Sequence, residues 1–449
     1  MTRPLCFAAA LALAAWNALP ARAATMMADS TVADRWQLAN GLEVVTRHIP
    51  GASGIAITVG YRSGLDDDPA DRPGLATLLA EVVLTAPAGD IPERTGDEME
   101  SLRPLGWGLK VTRRQTLVTE GATRAQFPGV LAQTATRMRG VTVTDAALGA
   151  ALATVRQRLG QKYFGSVDQM LFHQVREVAR GTDGNGMVAL AAAKALGALK
   201  AADVQKAIAR ACVPANAALA IAGDLAGLDL HAVVEHEFGG IAGGARLPDP
   251  SPPALDSATV VLARPEVTEP AGVIGLRAPA LDDSLHPSFY LAMLLLGTRC
   301  NQAWGTPSAP LTSRFQYAVL DDPGFVRMFP RLGKDARDPR VLSNALGDLT
   351  SDLLQMTVTM DSYQDLRYSV LWLLGGPLPR HLRQSMRTDA AALNALSSGM
   401  ASRALWGSDA FWAEYRRRLD PIVSPAFGAW SQYLVAPRNQ ARLLFVPRR

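Results

Sequence analysis

The stretch His231–His236 contains residue types that could hold a metal ion, two histidines with Glu235 between them. On an α-helix of about 3.6 residues per turn, a spacing of five sets the two imidazoles roughly 140° apart, on different faces. We therefore predict two solvated histidines at the end of an amphipathic helix, and no metal site. His48 and His173 stand alone in the sequence and are predicted to be surface or hydrogen-bonded core residues.

The sequence lacks the signatures of several other catalytic sites. It has no Gly-x-Ser-x-Gly segment, so a serine hydrolase of the α/β type is not supported. It has no P-loop, and Gly184-Asn185-Gly186 and the glycines near position 240 lack the strand and helix context of a dinucleotide site. A hydrolase with an unrelated site is kept as the weakest hypothesis.

Residues 1–23 have the pattern of a secretory signal. Arg3 lies in a short basic region, an apolar run extends from Leu5 to Leu13, and Ala21-Arg22-Ala23 is a cleavage box. We predict cleavage near Ala23 and a periplasmic mature protein that starts near Ala24.

A stable membrane anchor is not expected from the sequence. A membrane span needs about 20 uninterrupted apolar residues, and Asn17 and Pro20 interrupt the N-terminal run. Cys6 precedes that run, which is the wrong side for the cysteine of a lipoprotein.

Composition excludes further classes of function. Loss of Arg3 and Arg22 lowers the formal net charge from +4 to +2, which argues against nucleic acid as a partner. The remaining Cys212 and Cys300 are too few for a disulfide-rich scaffold or a structural zinc site. One bridge between them is conceivable, but buried free thiols are the commoner case. With 449 residues, 48% of them hydrophobic, the chain is expected to form two or three domains.

The order of predicted elements repeats once along the chain. In the first half an alternating strand, 55–61, runs into Leu65-Asp66-Asp67 and then an apolar helix. In the second half 272–277 runs into Leu281-Asp282-Asp283 and then the helical run 289–296. Such a repeat indicates an internal duplication.

The two halves also end alike. Pro214-Ala215-Asn216 leads into a strand at 218–222, and Pro437-Arg438-Asn439 leads into a strand at 442–446. Strands of period two followed by paired helices, repeated once, predict an α+β fold. Each half is expected to be an antiparallel-type sheet with helices packed on one face.

A glycine- and proline-rich stretch at 239–253 separates the halves. This composition disfavours helix and central strand, so it is interpreted as a surface linker. The predicted organisation is a signal peptide at 1–23, an N-terminal domain at 24–244, a linker at 245–255 and a C-terminal domain at 256–449.

Several segments carry a family resemblance in the correct order. They are the strand Leu38–Val45 with its Asn-Gly-Leu turn, the turn Tyr61–Pro69, Leu199-Lys200, and Pro214–Asn216 through Gly223-Asp224. In sequence and spacing they are similar to the pitrilysin/insulinase family of zinc peptidases, the inverzincins. The resemblance covers nearly the whole mature chain and implies an insulinase-like fold of two similar halves, of the kind shared with the metalloenzyme LuxS.

In active inverzincins an H-x-x-E-H motif supplies two zinc-ligating histidines and a glutamate that activates water. Gly74-Leu75-Ala76 matches the lead-in to this motif. The resemblance then places the first ligand at Thr77, the general base at Ala80 and the second ligand at Glu81. A hydroxyl, a methyl and one carboxylate cannot make a catalytic zinc site.

The third zinc ligand of the family, a glutamate, is expected within 151–161, but no Asp or Glu occurs from Ala146 to Val167. The zinc site is therefore predicted to be lost, with no cofactor and no catalytic residue. The helix keeps an apolar stripe typical of core packing, and Glu81 is interpreted as a solvated or salt-bridged residue beside it.

Active members of the family also hold the substrate with an arginine and a tyrosine from the second half. Ser313-Arg314 and Gly324-Phe325 align with that pattern, but the arginine falls on Leu320 and the tyrosine on Arg327. The substrate clamp is predicted to be lost, although Arg327 could still meet a peptide carbonyl or carboxylate.

These observations predict a protein without enzyme activity. The first hypothesis is an inactive subunit of a periplasmic zinc-peptidase heteromer, paired with a zinc-bearing insulinase-like subunit and helping to enclose and bind peptides. The alternative is a stand-alone peptide-binding or scaffolding protein.

Overall fold

The computed structural model describes residues 33–69, 71–248, 255–304, 313–322, 324–355, 380–419 and 427–448. The predicted signal peptide at 1–23 and positions 249–254 of the predicted linker lie outside the described residues. Within the described part of the chain, no helix combines the length and the apolar character needed to cross a membrane.

The first half is built around a six-stranded sheet. Its strands are β1 Asp34–Gln37, β2 Glu43–His48, β3 Ile55–Tyr61, β4 Trp107–Val111, β5 Thr116–Ala122 and β6 Ala217–Gly223. They lie in the order β1-β2-β6-β3-β5-β4. β2 and β6 are parallel, and the other neighbours are antiparallel. The helices are α1 Leu75–Thr85, α2 Gly96–Leu102, α3 Phe127–Arg139, α4 Asp145–Phe164, α5 Val167–Val178, α6 Met187–Leu196, α7 Ala201–Ala211 and α8 Leu230–Phe238.

The second half is built around a five-stranded sheet. Its strands are β7 Ala258–Arg264, β8 Ala271–Arg277, β9 Ser313–Gln316, β10 Phe325–Pro330 and β11 Gln440–Pro447. They lie in the order β7-β11-β8-β10-β9, with β7 and β11 parallel and the other neighbours antiparallel. The helices are α9 His286–Trp304, α10 Arg340–Gln355, α11 Arg380–Ser385, α12 Ala390–Trp406, α13 Asp409–Leu419 and α14 Phe427–Val435.

The two sheets share one topology. In each sheet, the last strand of the half lies between two earlier strands of that half, one parallel and one antiparallel to it. β6 lies between β2 and β3, and β11 lies between β7 and β8. Each of these strands follows a short 3₁₀ turn. Asn216 in the first turn donates to the Ala211 carbonyl at 2.8 Å, and Asn439 in the second donates to the Tyr433 carbonyl at 2.8 Å. The Pro-x-Asn repeat therefore marks equivalent places in the two halves.

Each sheet packs helices of its own half on one face. On the first sheet, Ile57 and Leu219 pack against Phe127 of α3 and Phe238 of α8. On the second sheet, a larger core joins the strands to α9, α10, α13 and α14. The α+β class and the packing of own-half helices on one face agree with the prediction.

The opposite face of each sheet is covered by a helix from the other half. Leu396 and Met400 of α12 pack against the small side chains of Ala218 and Ala220 on the first sheet. The Ser397 hydroxyl donates to the Ala220 carbonyl at 3.1 Å. All seven residues of β3 and of β6 are buried for this reason.

The exchange is reciprocal, because α5 of the first half covers the second sheet. Val175 and Val178 of α5 pack with Leu443 and Phe445 of β11 in one core. The sequence did not predict this exchange, which joins the two halves through both sheets.

The two cysteines of the described residues, Cys212 and Cys300, are free thiols. Cys212 packs at the edge of the cores on the first half, whereas Cys300 is buried in the main core of the second half. They lie in separate cores, so the two thiols form no bridge.

Candidate functional site

Helix α1 carries Thr77, Ala80 and Glu81, the three positions predicted for the zinc motif. Its first turn is fixed by Asp68. The Asp68 carboxylate accepts hydrogen bonds from the Gly74 amide at 2.6 Å and from the Ala76 amide at 2.7 Å. Gly74 has a φ of 86°, in the left-handed region that favours glycine. Burial raises the pKa of Asp68 to about 7, against the lowering effect of these two bonds. The cap sets the start of α1 and therefore the face on which the motif positions lie.

Glu81 is buried and forms an ion pair with Arg158 of α4. The Arg158 Nη1 group donates to Glu81 Oε2, and the two side chains are 34% and 3% exposed respectively. Burial raises the pKa of Glu81, and the neighbouring guanidinium opposes that effect. Arg158 lies within 151–161, the segment in which the resemblance places the third zinc ligand. A cation from that segment thus meets the position expected for the second ligand.

Ala80 and Thr77 are both buried. Ala80 lines a small cavity with Tyr61 and Cys212. Burial raises the pKa of the Cys212 thiol to about 12 and the pKa of Tyr61 well above its ordinary value, so both groups stay protonated at neutral pH. Within the described ranges, no group of three or more His, Cys, Asp or Glu side chains is placed to hold a metal ion.

A larger cavity of about 500 Å³ lies between the two halves. Both edge strands reach it, β4 through Val111 and β9 through Phe315. Helices α5 and α9 contribute apolar walls, including Phe172 and Met293. Its volume lies in the range of about 300–1,000 Å³ that small-molecule and cofactor sites occupy.

One wall of the cavity is a buried ion cluster that joins the halves. Asp322 accepts a hydrogen bond from Arg327 Nη2 at 3.0 Å, and its other oxygen lies 2.6 Å from Arg176 Nη1 of α5. The three side chains are 10%, 7% and 7% exposed. Arg327 also donates through Nε to the Phe172 carbonyl at 2.8 Å and stacks over the Phe172 ring.

A second buried cluster lies behind the same wall and is centred on Asp66. The Asp66 carboxylate forms ion pairs with Arg113 and with Arg180, the latter at 2.6 Å. Burial alone would raise the pKa of Asp66, but Arg113 and then Arg176 and Arg180 outweigh it and lower that pKa. Asp66 is therefore ionised at neutral pH.

Tyr163, His173 and Glu177, on the α4–α5 side of the cavity, are held in neutral or hydrogen-bonded forms. Tyr163 is hydrogen-bonded to Glu177, and burial raises the pKa of Tyr163 to about 12. Burial, aided by Lys162 and Arg327, lowers the pKa of His173 to about 3, so its imidazole is neutral at pH 7. Burial also raises the pKa of Glu177. No cysteine or serine occurs among the described lining residues.

Of the two positions predicted for the substrate clamp, Leu320 and Arg327, only Arg327 lines the cavity. Arg327, the predicted peptide contact, lines the inter-half cavity. Leu320 is partly buried against the core of the second half, and its carbonyl accepts a hydrogen bond from the Trp406 indole at 2.8 Å. Arg327 is brought to the cavity wall with Arg176 and Arg113, while Thr77 and Ala80, on α1, are not among the residues that line this cavity.

The predicted solvated histidines are found on the surface. His231 is 61% exposed, pairs with Asp34 at 3.0 Å and stacks on Trp36. His236 is 83% exposed and lies 3.3 Å from Glu237. His48 accepts a hydrogen bond from the Leu225 amide at 3.0 Å.

Sequence reasoning did not find most of the residues that line the cavity. His173 was named only as an isolated histidine, and Tyr163, Glu177, Lys162 and Asp322 were not singled out. Lys162 and Tyr163 are neighbours on α4, and His173 and Glu177 are one helical turn apart on α5, but no local spacing brings these two helices to Asp322. The only available signal was the alignment that singled out Arg327.

The comparisons with known proteins are structural. No protein-family model matches the sequence, and no curated protein matches it significantly. A protease from Helicobacter pylori superimposes with a TM-score of 0.73 at 14% identity, over 93% of this chain and 100% of that chain. The inactive domain of an M16 peptidase from Pseudomonas fluorescens gives a TM-score of 0.67 at 15% identity, over 93% of this chain and 98% of that chain.

The periplasmic protease PqqL from Escherichia coli gives a TM-score of 0.66 at 13% identity, over 95% of this chain and 48% of PqqL. This chain therefore has the fold of M16-like peptidases, the insulinase-type fold that the sequence resemblance implied. At these identities the likeness establishes the fold alone.

Proposed function

We propose that this protein is a non-catalytic member of the insulinase-like peptidase family that acts as the inactive subunit of a periplasmic zinc-peptidase heteromer. The observation that carries the proposal is the ion pair between Glu81 and Arg158. A bound Zn²⁺ and a guanidinium would repel each other at this place, and an ion-paired carboxylate is not free to ligate.

Loss of the catalytic base compounds the loss of the metal. The methyl group of Ala80 can neither accept nor deliver a proton, and it faces a cavity of only about 10 Å³. Removing one catalytic group from an active site typically lowers kcat by several orders of magnitude, and metal-assisted hydrolysis also needs the ion that polarises water. Under this proposal, the protein contributes to proteolysis only when a partner subunit supplies the catalytic site.

Peptide binding is supported by the position of the two edge strands. β4 and β9 end their sheets, and both contribute side chains to the inter-half cavity. An extended peptide can add to an exposed sheet edge through main-chain hydrogen bonds. Arg327, on the wall beside them, is the candidate side chain for a peptide carbonyl or carboxylate.

The partner is proposed from chain length and from the names of structural relatives. The chain spans about half of PqqL, with 48% of that chain covered, and it also matches a domain described as inactive in an M16 peptidase. A second unit of similar size that carries zinc would complete an enzyme of PqqL length.

The test combines metal content, activity and co-purification. The protein purified alone should hold far less than one equivalent of zinc after incubation with zinc salt and gel filtration, and should leave a mixed peptide library intact. Affinity purification from the native periplasm should recover a stoichiometric partner with an intact H-x-x-E-H motif. Stoichiometric zinc with chelator-sensitive cleavage by the chain alone would overturn the proposal. Cleavage that persists in chelator would instead indicate an unrelated hydrolytic site.

A stand-alone peptide-binding or scaffolding role is the second candidate. It is favoured by the cavity, which is formed by the two halves of one chain and needs no residue from another protein. This role predicts that the purified protein binds peptides while the co-purification finds no stoichiometric partner.

A further inference from the structure

Five cationic side chains line the inter-half cavity: Lys110, Arg113, Lys162, Arg176 and Arg327. Four of them form ion pairs with carboxylates. Lys110 pairs with Asp321 at 2.7 Å, and Arg113 pairs with Asp66. Asp322 serves both Arg176 and Arg327.

Lys162 differs from these four. It lies in the last turn of α4 and is half-buried, and no carboxylate of the described residues forms an ion pair with it. Burial and the nearby Arg158 lower the pKa of Lys162. An ammonium group in such a place is stabilised by an anion that enters the cavity.

The walls of the cavity that Lys162 lines are largely apolar by exposed area. Leu65, Phe172, Met293, Leu294 and Phe315 line the same cavity as Lys162. His173 adds no charge, because its low pKa keeps it neutral at pH 7. The complementary ligand is therefore a carboxylate attached to an apolar body.

We propose that this cavity binds the free C-terminal carboxylate of a peptide whose last residue is apolar, with Lys162 as its counter-ion. This inference rests on the proposed peptide-binding function and specifies the class of peptide. A free fatty acid shares the carboxylate and the apolar body, but it has no amide groups. The edge strands β4 and β9, which reach the cavity through Val111 and Phe315, offer main-chain partners that only a peptide can use.

The test compares the tetrapeptide Ala-Ala-Leu-Phe with a free C-terminus, the same peptide as its C-terminal amide, and dodecanoate, each in a titration against the purified full chain. The free acid is expected to bind about tenfold or more tightly than the amide, because an ion-paired hydrogen bond is lost in the amide. Lys162→Met should bring the two affinities to within about twofold of each other.

Two further variants make the comparison specific. Lys162→Arg keeps the cation and should retain the preference for the acid. Lys110→Met removes the same charge from the same cavity, but from a lysine that is 54% exposed and already paired with Asp321, so the preference should also persist. An unchanged affinity of Lys162→Met for the amide shows that the cavity is intact.

Equal binding of acid and amide by the unmodified protein would overturn this inference and leave the proposed peptide-binding function standing. Lys162-dependent binding of dodecanoate without peptide binding would overturn the peptide as occupant. The heteromer proposal fails on separate grounds, through zinc content and cleavage by the chain alone. If Lys162→Met does not fold, the ratio of the affinities for acid and amide, measured for the unmodified protein and for Lys162→Arg, still tests the proposal.

Discussion

The Arg158 guanidinium and the Glu81 carboxylate form an ion pair that joins α4 to α1 across 77 residues of sequence. Glu81 is only 3% exposed, and a carboxylate in such a place is costly unless it is paired. The pair therefore has a structural role at the position that the family resemblance predicts for the second zinc ligand.

Arg158→Met should leave Glu81 buried without a counter-ion and lower the free energy of unfolding by about 2 kcal/mol at pH 8. The loss should be smaller at pH 5, because the raised pKa of Glu81 lets it be protonated as the pH falls. Urea unfolding at the two pH values measures this. Arg156→Met, on the exposed side of the same helix, is the control and should change stability by less than about 0.5 kcal/mol. Glu81→Gln in the Arg158→Met background should restore part of the lost free energy of unfolding. Equal losses for Arg156→Met and Arg158→Met would contradict a stabilising ion pair between Arg158 and Glu81.

Asp322→Asn should destabilise the protein by about 3 kcal/mol, since it leaves Arg176 and Arg327 buried without their shared carboxylate. The neighbouring Asp321→Asn is the matched control. Asp321 pairs with a lysine that is 54% exposed, so its loss should cost less than about 1 kcal/mol. Denaturant midpoints of the two variants give the comparison. A similar shift for both would mean that the inter-half cluster contributes little.

The first half should not form a soluble native domain alone. In a chain ending at residue 248, the apolar face that α12 covers, which includes Ala218 and Ala220, would be open to water. We expect aggregation or strong binding of a hydrophobic dye. Co-expression with the remaining residues should give a soluble complex in which the dye signal is lost. A soluble monomer with no dye binding, obtained from the first half alone, is the contrary result.

Acid should destabilise the fold through His286, which is fully buried in α9. Its Nδ1 lies 2.6 Å from the Tyr415 hydroxyl and its Nε2 lies 2.8 Å from the Tyr317 hydroxyl. Burial lowers its pKa to about 4, only partly opposed by Asp283. Because the folded pKa is below the unfolded value of about 6.5, this contribution is present above pH 6.5 and is lost as the pH falls towards 4.

The contribution of His286 to that loss is at most about 3 kcal/mol. His286→Gln removes the titrating group, and its unfolding free energy should fall less steeply between pH 6.5 and 4 than that of the unmodified protein. The variant should also be less stable at pH 7, because a tyrosine hydroxyl loses its partner. Identical slopes for the two proteins would assign the acid sensitivity to other groups, of which His173 is the next candidate.

Much of the fold was readable from local patterns. The repeated Pro-x-Asn turns became equivalent 3₁₀ turns, each with an asparagine that bonds a preceding helix. His231 and His236, whose five-residue spacing sets them on different faces of the helix, are both exposed as predicted. These predictions succeed because turn chemistry and helical period depend on residues close in sequence.

The sequence by itself determined the α+β class, the duplication, and the residue types at Thr77, Ala80 and Glu81. Only the tertiary structure decided that Arg158 pairs with Glu81, and that α5 and α12 each cover the sheet of the other half. It also decided that Lys162 lines a cavity in which every other lysine or arginine forms an ion pair with a carboxylate of the described residues. Such pairings are set by helix packing between segments far apart in the chain. A linear pattern fixes the face of each helix, but the partner on that face depends on how the two halves close against each other.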